Sequence, residues 1–128
     1  MALRSLILTV RNPSVSANFY KSILGMIVKN ETPAFIELVT KDAPSIPLII
    51  REGTNAAMLS VGYTPIINFD VKNMENAITV AMQMGGMLDG AIKYKAFGKI
   101  AALRSPDGHM IGLFEPAEGN AGANTTNP

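Results

Sequence analysis

Apolar positions recur along this chain with two periods, two residues in some stretches and about 3.6 in others, and the switches between them mark its elements. Leu6, Leu8 and Val10 alternate with Ser5, Ile7 and Thr9, the pattern of a strand with both faces at least partly covered. Asn12-Pro13 then reads as a helix start. An asparagine side chain can accept from the first turn, and proline suits the first helical position. Val15, Phe19 and Ile23 fall on one face at spacing four, and Gly25 supplies the stop. Three more strands are expected over Met26 to Thr32, Ala34 to Thr40 and Pro47 to Arg51, with breaks at Thr32-Pro33 and Lys41 to Pro44.

After a run of small residues from Gly53 to Tyr63, the same order begins again. Ile66 to Val71 reads as a strand, Asn73 as a second N-cap, and Met74, Ala77, Ile78 and Ala81 as the apolar stripe of a helix that Gly85-Gly86 ends. Met87 to Ala91, Lys95 to Arg104 and Met110 to Phe114 complete the strands, the last two joined by a tight turn at Pro106-Asp107-Gly108. Val10, Asn12, Gly25 and Met26 recur 61 positions later as Val71, Asn73, Gly86 and Met87, and Glu52 recurs 63 positions later as Glu115. Cap, stop and strand order repeating together predict an α+β chain of two tandem βαβββ modules, the second carrying a small insertion. The reading places one domain over 1–116, made of module one at 1–53, a linker at 54–64 and module two at 65–116. It leaves 117–128 as a flexible, small and polar tail.

Composition narrows the function. With 128 residues, 48% hydrophobic and 16% charged, the chain suits one compact domain. A net charge of +1 without a basic cluster speaks against a nucleic-acid or membrane-surface partner. The absence of cysteine removes disulfides, thiolate metal sites and thiol nucleophiles. Met1-Ala-Leu-Arg4 lacks the features of a signal peptide, and the cytoplasm is the expected compartment. Neither a nucleophile elbow nor a glycine-rich phosphate loop is present.

The stretch Arg104-Ser-Pro-Asp-Gly-His-Met-Ile-Gly-Leu-Phe-Glu-Pro116 resembles the closing hairpin of the vicinal-oxygen-chelate superfamily, which includes glyoxalase I, bleomycin-resistance proteins and extradiol dioxygenases. The helix segment Phe19-Tyr20, three residues, then Leu24-Gly25 adds to the resemblance. It implies paired βαβββ modules that form a curled mixed sheet around a central cavity. A homodimer is implied too, since relatives usually cover their open sheet edges by dimerising. In the family, the first and last strands of each module send metal ligands into the cavity. The corresponding positions here hold Ser5, Ile49, Ile66 and Gly112. None suits a zinc, nickel or iron site, so neither a metal nor any other cofactor is expected.

Strand parity extends the list of cavity residues. If Leu6, Leu8 and Val10 face the helix, Ser5, Ile7 and Thr9 face the cavity. By the same argument Ile49 and Arg51 from the fourth strand point inward, as do Ile66, Asn68 and Asp70. Met110, Gly112 and Phe114 complete that side. Glu37, between Ile36 and Leu38, is a candidate cavity carboxylate, and His109 either faces solvent at its turn or sits at the rim as a base. The expected function is metal-independent binding of a small, largely apolar molecule between the modules, similar to the bleomycin-resistance branch. The alternative is a metal-independent isomerase or lyase acting on a small carbonyl compound. In it Glu37, Asp70 or His109 would be the base, and Arg51 or Asn68 would polarise an oxygen.

Overall fold

A computed structural model describes residues 1–41 and 45–118. The break expected at Lys41 to Pro44 and the tail expected over 117–128 therefore lie largely outside the described residues. The chain divides at Val61/Gly62 into two compact units.

In the first unit, β1 (Leu6–Val10) leads into α1 (Pro13–Leu24), followed by β2 (Ile27–Glu31), β3 (Phe35–Val39) and β4 (Leu48–Glu52). Asn12 starts α1 as expected, its Oδ1 accepting from the backbone N–H groups of Ser14 at 3.1 Å and Val15 at 3.3 Å. Gly25 ends it in the left-handed conformation (φ 66°), and its N–H donates to the Lys21 carbonyl. The four strands form a mixed sheet in the order β1-β4-β3-β2, with β1 parallel to β4 and the other pairs antiparallel. Leu8, Val10, Ile36, Leu38, Leu48 and Ile50 are buried on the face covered by α1.

The buried face of α1 differs from the expected one. Ser16, Ala17, Phe19 and Tyr20 are buried, whereas Val15 is 51% exposed. Small residues at 16 and 17 let the helix come close to the sheet, and the two large rings then fill the space beside them. A stripe drawn only from large apolar residues is rotated away from that face.

The second unit repeats the order: β5 (Ile66–Asp70), α2 (Met74–Gln83), β6 (Met87–Leu88), β7 (Lys93–Lys95), β8 (Gly98–Arg104) and β9 (Met110–Pro116). The sheet order is β5-β9-β8-β6, with β5 parallel to β9 and β7 pairing on β8. Met74, Ala77, Ile78 and Ala81 form the buried stripe of α2, as the spacing predicts. The strand expected over Lys95 to Arg104 is instead two strands, because a turn at Ala96-Phe97 folds β7 back on β8. The two units are thus βαβββ modules, and the second has gained this hairpin. No helix among the described residues is long and apolar enough to cross a membrane.

Glu115 joins β9 to α2: its Oε1 accepts from the Met74 N–H at 2.7 Å. Lys99 lies 3.6 Å from Glu115 and 3.0 Å from Glu75 in the first turn of α2. The hydrogen bond from Lys99 holds the Glu75 carboxyl below its ordinary pKa, and the same bond raises that of Lys99. The contribution of Glu75 to stability is therefore present above its unfolded-state pKa and is lost as pH falls through the lowered folded value. In an NMR titration, Lys99→Met should return the Glu75 carboxyl toward the ordinary glutamate range. An unchanged midpoint would show that the pair does not form in solution.

Candidate functional site

Strand register arranges the open face of each sheet into rows. In the first module, Ile7, Ile49, Glu37 and Asn30 lie side by side across β1, β4, β3 and β2. Thr9, Arg51 and Phe35 form the next row. The polar members of both rows bond to one another. Arg51 Nε donates to Thr9 Oγ1 at 3.0 Å, and Asn30 Nδ2 donates to Glu37 Oε1 at 3.0 Å. Ser5 precedes β1 and is half-buried.

In the second module, Ile66, Met110, Arg104 and Met87 form one row. Asn68, Gly112 and Ala102 form the next, which Asp89 extends through its N–H bond to the Ala102 carbonyl at 2.8 Å. Asp70, Phe114, Ile100 and Lys93 form the third. The middle row has the smallest residues at its centre, and bulky side chains flank it on both sides. A trough results. Its volume is about 380 Å³, and its lining includes Ile66, Asn68, Asp89, Lys93, Ile100, Ala102 and Gly112.

Three expected site residues, Ile66, Asn68 and Gly112, meet in this trough. Met110 and Phe114 do not. Parity put them on an open side, but they are only 4% and 5% exposed. The Ala96-Phe97 turn carries the Phe97 ring to 6.2 Å from that of Phe114 and covers it. Asp89, Lys93, Ile100 and Ala102 also line the trough, and they lie off the first and last strands of the module, where alternation on those strands does not reach them. Extended to β8, the same alternation would have selected Ile100 and Ala102. His109 lies in the turn before β9, where its N–H donates to Ser105 Oγ at 3.1 Å, and it is not part of the trough lining. Asp70 opens instead on a second cavity of about 390 Å³, with Lys72 and Glu115, at the ends of β5 and β9.

Arg104 fixes the Asp89 side of the trough. One guanidinium nitrogen donates to the carbonyls of Gly62 at 2.9 Å and Gly108 at 2.7 Å. The group stacks 4.8 Å over the Tyr63 ring, and its Nε lies 3.8 Å from Asp89. Opposite, the Asn68 carboxamide lies directly over Gly112 and occupies the space where a side chain at 112 would begin.

Side-by-side parallel first and last strands in each of two βαβββ modules define the class of fold inferred from the closing hairpin. A family model described as Glyoxalase/Bleomycin resistance protein/Dioxygenase superfamily matches residues 2–113, and the chain belongs to this superfamily. No curated protein matches the chain. Among solved structures, a glyoxalase/bleomycin resistance protein/dioxygenase family enzyme from Burkholderia phytofirmans is similar with a TM-score of 0.73 at 18% identity, over 91% of this chain and 99% of that one. A glyoxalase family protein from Bacillus cereus gives a TM-score of 0.74 at 16% identity, over 91% and 94%. A protein from Agrobacterium tumefaciens, solved by NMR, gives 0.69 at 24% identity, over 91% and 99%. At these identities the likeness fixes the fold alone.

The resemblance places the superfamily's metal ligands at Ser5, Ile49, Ile66 and Gly112, where few donor atoms stand. Ser5 offers a neutral hydroxyl, Ile49 and Ile66 offer no donor atom, and the space at Gly112 is filled by the Asn68 amide. Among the described residues, no three histidine, cysteine or acidic side chains converge.

Proposed function

We propose that this chain binds a small, largely apolar molecule in the trough of its second module, without a metal. The observation that carries this reading is the occupancy of the family's ligand position by Asn68 over Gly112, on the floor of a trough walled by Ile66 and Ile100. A volume of about 380 Å³ with apolar walls and a few placed polar groups is the ordinary form of a small-molecule site. Of the groups that the catalytic alternative would use, Glu37 and Arg51 are each engaged by a neighbour on their own sheet, while Asp70, His109 and Asn68 are the others it names.

Native mass spectrometry of protein isolated from its own host should show a retained organic molecule. Chelator-treated protein should contain far less than one equivalent of zinc, nickel or manganese per chain. Ile66 is 47% exposed, so Ile66→Asp should fold with a melting temperature within a few degrees of the parent. The same change should weaken binding of naphthalene, followed by amide shifts at Ile100, Ala102 and Gly112, by about tenfold or more. Stoichiometric metal, or unaltered naphthalene binding in Ile66→Asp, would overturn the reading.

A further inference from the structure

We infer that Asn68 selects the ligand, and that the class selected is a flat, uncharged aromatic ring carrying a lactam or similar cis-amide edge. The inference rests on the proposed use of the trough. It adds what the trough reads.

Ala102 gives the floor only a methyl group, and Gly112 beside it is covered by the Asn68 amide, so the floor stays low enough for the face of a planar ring. Asn68 starts from β5 at one edge of the row and reaches over Gly112, and Asp89 stands at the other edge. They are three strand spacings apart, about 14 Å between backbones, which leaves room for one or two fused rings. The Asn68 carboxamide makes no hydrogen bond to another described side chain or backbone group, while Thr9, Arg51, Glu37 and Asn30 on the first module are paired. Asn68 is exposed on β5 with its Oδ1 over Gly112, so its donor and acceptor face water that a ligand can displace.

A primary carboxamide presents an N–H and a C=O side by side in one plane. The complement that satisfies both is an acceptor and a donor held cis, as in a lactam. Asparagine reads the edge of adenine by the same geometry. Charge is compatible with a neutral ligand: the lining carries one acidic and one basic side chain, Asp89 and Lys93. Gly112 is the enabling residue, since a side chain there would displace the amide.

The test compares three probes of similar shape by amide chemical-shift titration: naphthalene, 2-quinolone and N-methyl-2-quinolone. The lactam should bind the parent protein about tenfold more tightly than its N-methyl derivative, because methylation removes one of two paired hydrogen bonds. Asn68→Leu should keep naphthalene binding and lose that preference. Asn68→Asp, with two acceptors and no donor, should turn the preference toward 2-aminoquinolinium, which offers two donors. Equal binding of the two quinolones to the parent, or a preference that persists in Asn68→Leu, would overturn the inference while naphthalene binding kept the trough reading intact. Failure of all three probes to shift the trough residues would sink both.

Discussion

Phe19→Ala should be the most damaging simple truncation in the first module, with a loss of about 4 kcal/mol of stability. Phe19 is 1% exposed on α1 and meets Tyr20 edge to face, with ring centroids 5.4 Å apart and planes at 88°. Removing the ring discards its burial, leaves a cavity against the sheet and deletes the aromatic pair. For a protein of this size the melting temperature should fall by about 15 °C, read by far-ultraviolet circular dichroism. Val15→Ala, four residues away on the outer face, should cost less than about 0.5 kcal/mol. A larger loss at Val15 than at Phe19 would mean that α1 packs on the face its large apolar residues alone suggest.

That contrast shows where the sequence was legible. Helix ends were, because Asn12, Gly25 and Asn73 act through their own local chemistry and need no tertiary partner. The buried face of α2 was legible too, since its four apolar residues coincide with the stripe that packs. The face of α1 was not, because Ser16, Ala17 and Tyr20 are buried by the closeness of the sheet, which periodicity does not encode. On the second sheet, Ile66, Asn68 and Gly112 share the face that parity gave them, because alternation alone decides which face a strand residue takes. It could not find the fate of Met110 and Phe114. A face is a local property, whereas a cover such as the Phe97 turn comes from elsewhere in the chain. That turn was hidden because Lys95 to Arg104 contains no proline, asparagine or aspartate to mark it, only the glycine at 98.

Gly98→Ala is expected to destabilise the second module by about 3 kcal/mol, lowering the melting temperature by about 10 °C. Gly98 opens β8 at φ 151°, a conformation L side chains rarely adopt, opposite Pro116 on β9. A Cβ there would press on the Glu115 carbonyl oxygen and lie 2.9 and 3.0 Å from atoms of the Phe114 ring. The carbonyl belongs to the β8–β9 ladder and cannot yield without opening it, and the ring is already covered by Phe97. Gly112→Ala meets a different obstacle, the mobile end of the Asn68 side chain, which can rotate away. That variant should melt close to the parent yet lose the preference for 2-quinolone over its N-methyl form, because the amide no longer lies across the floor. Gly98→Ala should weaken all three probes together, since Ile100 and Ala102 follow it on the same strand and line the trough. If Gly98→Ala melts within a degree or two of the parent, the turn does not hold β7 against β8 as described, and the cover over Phe114 fails with it.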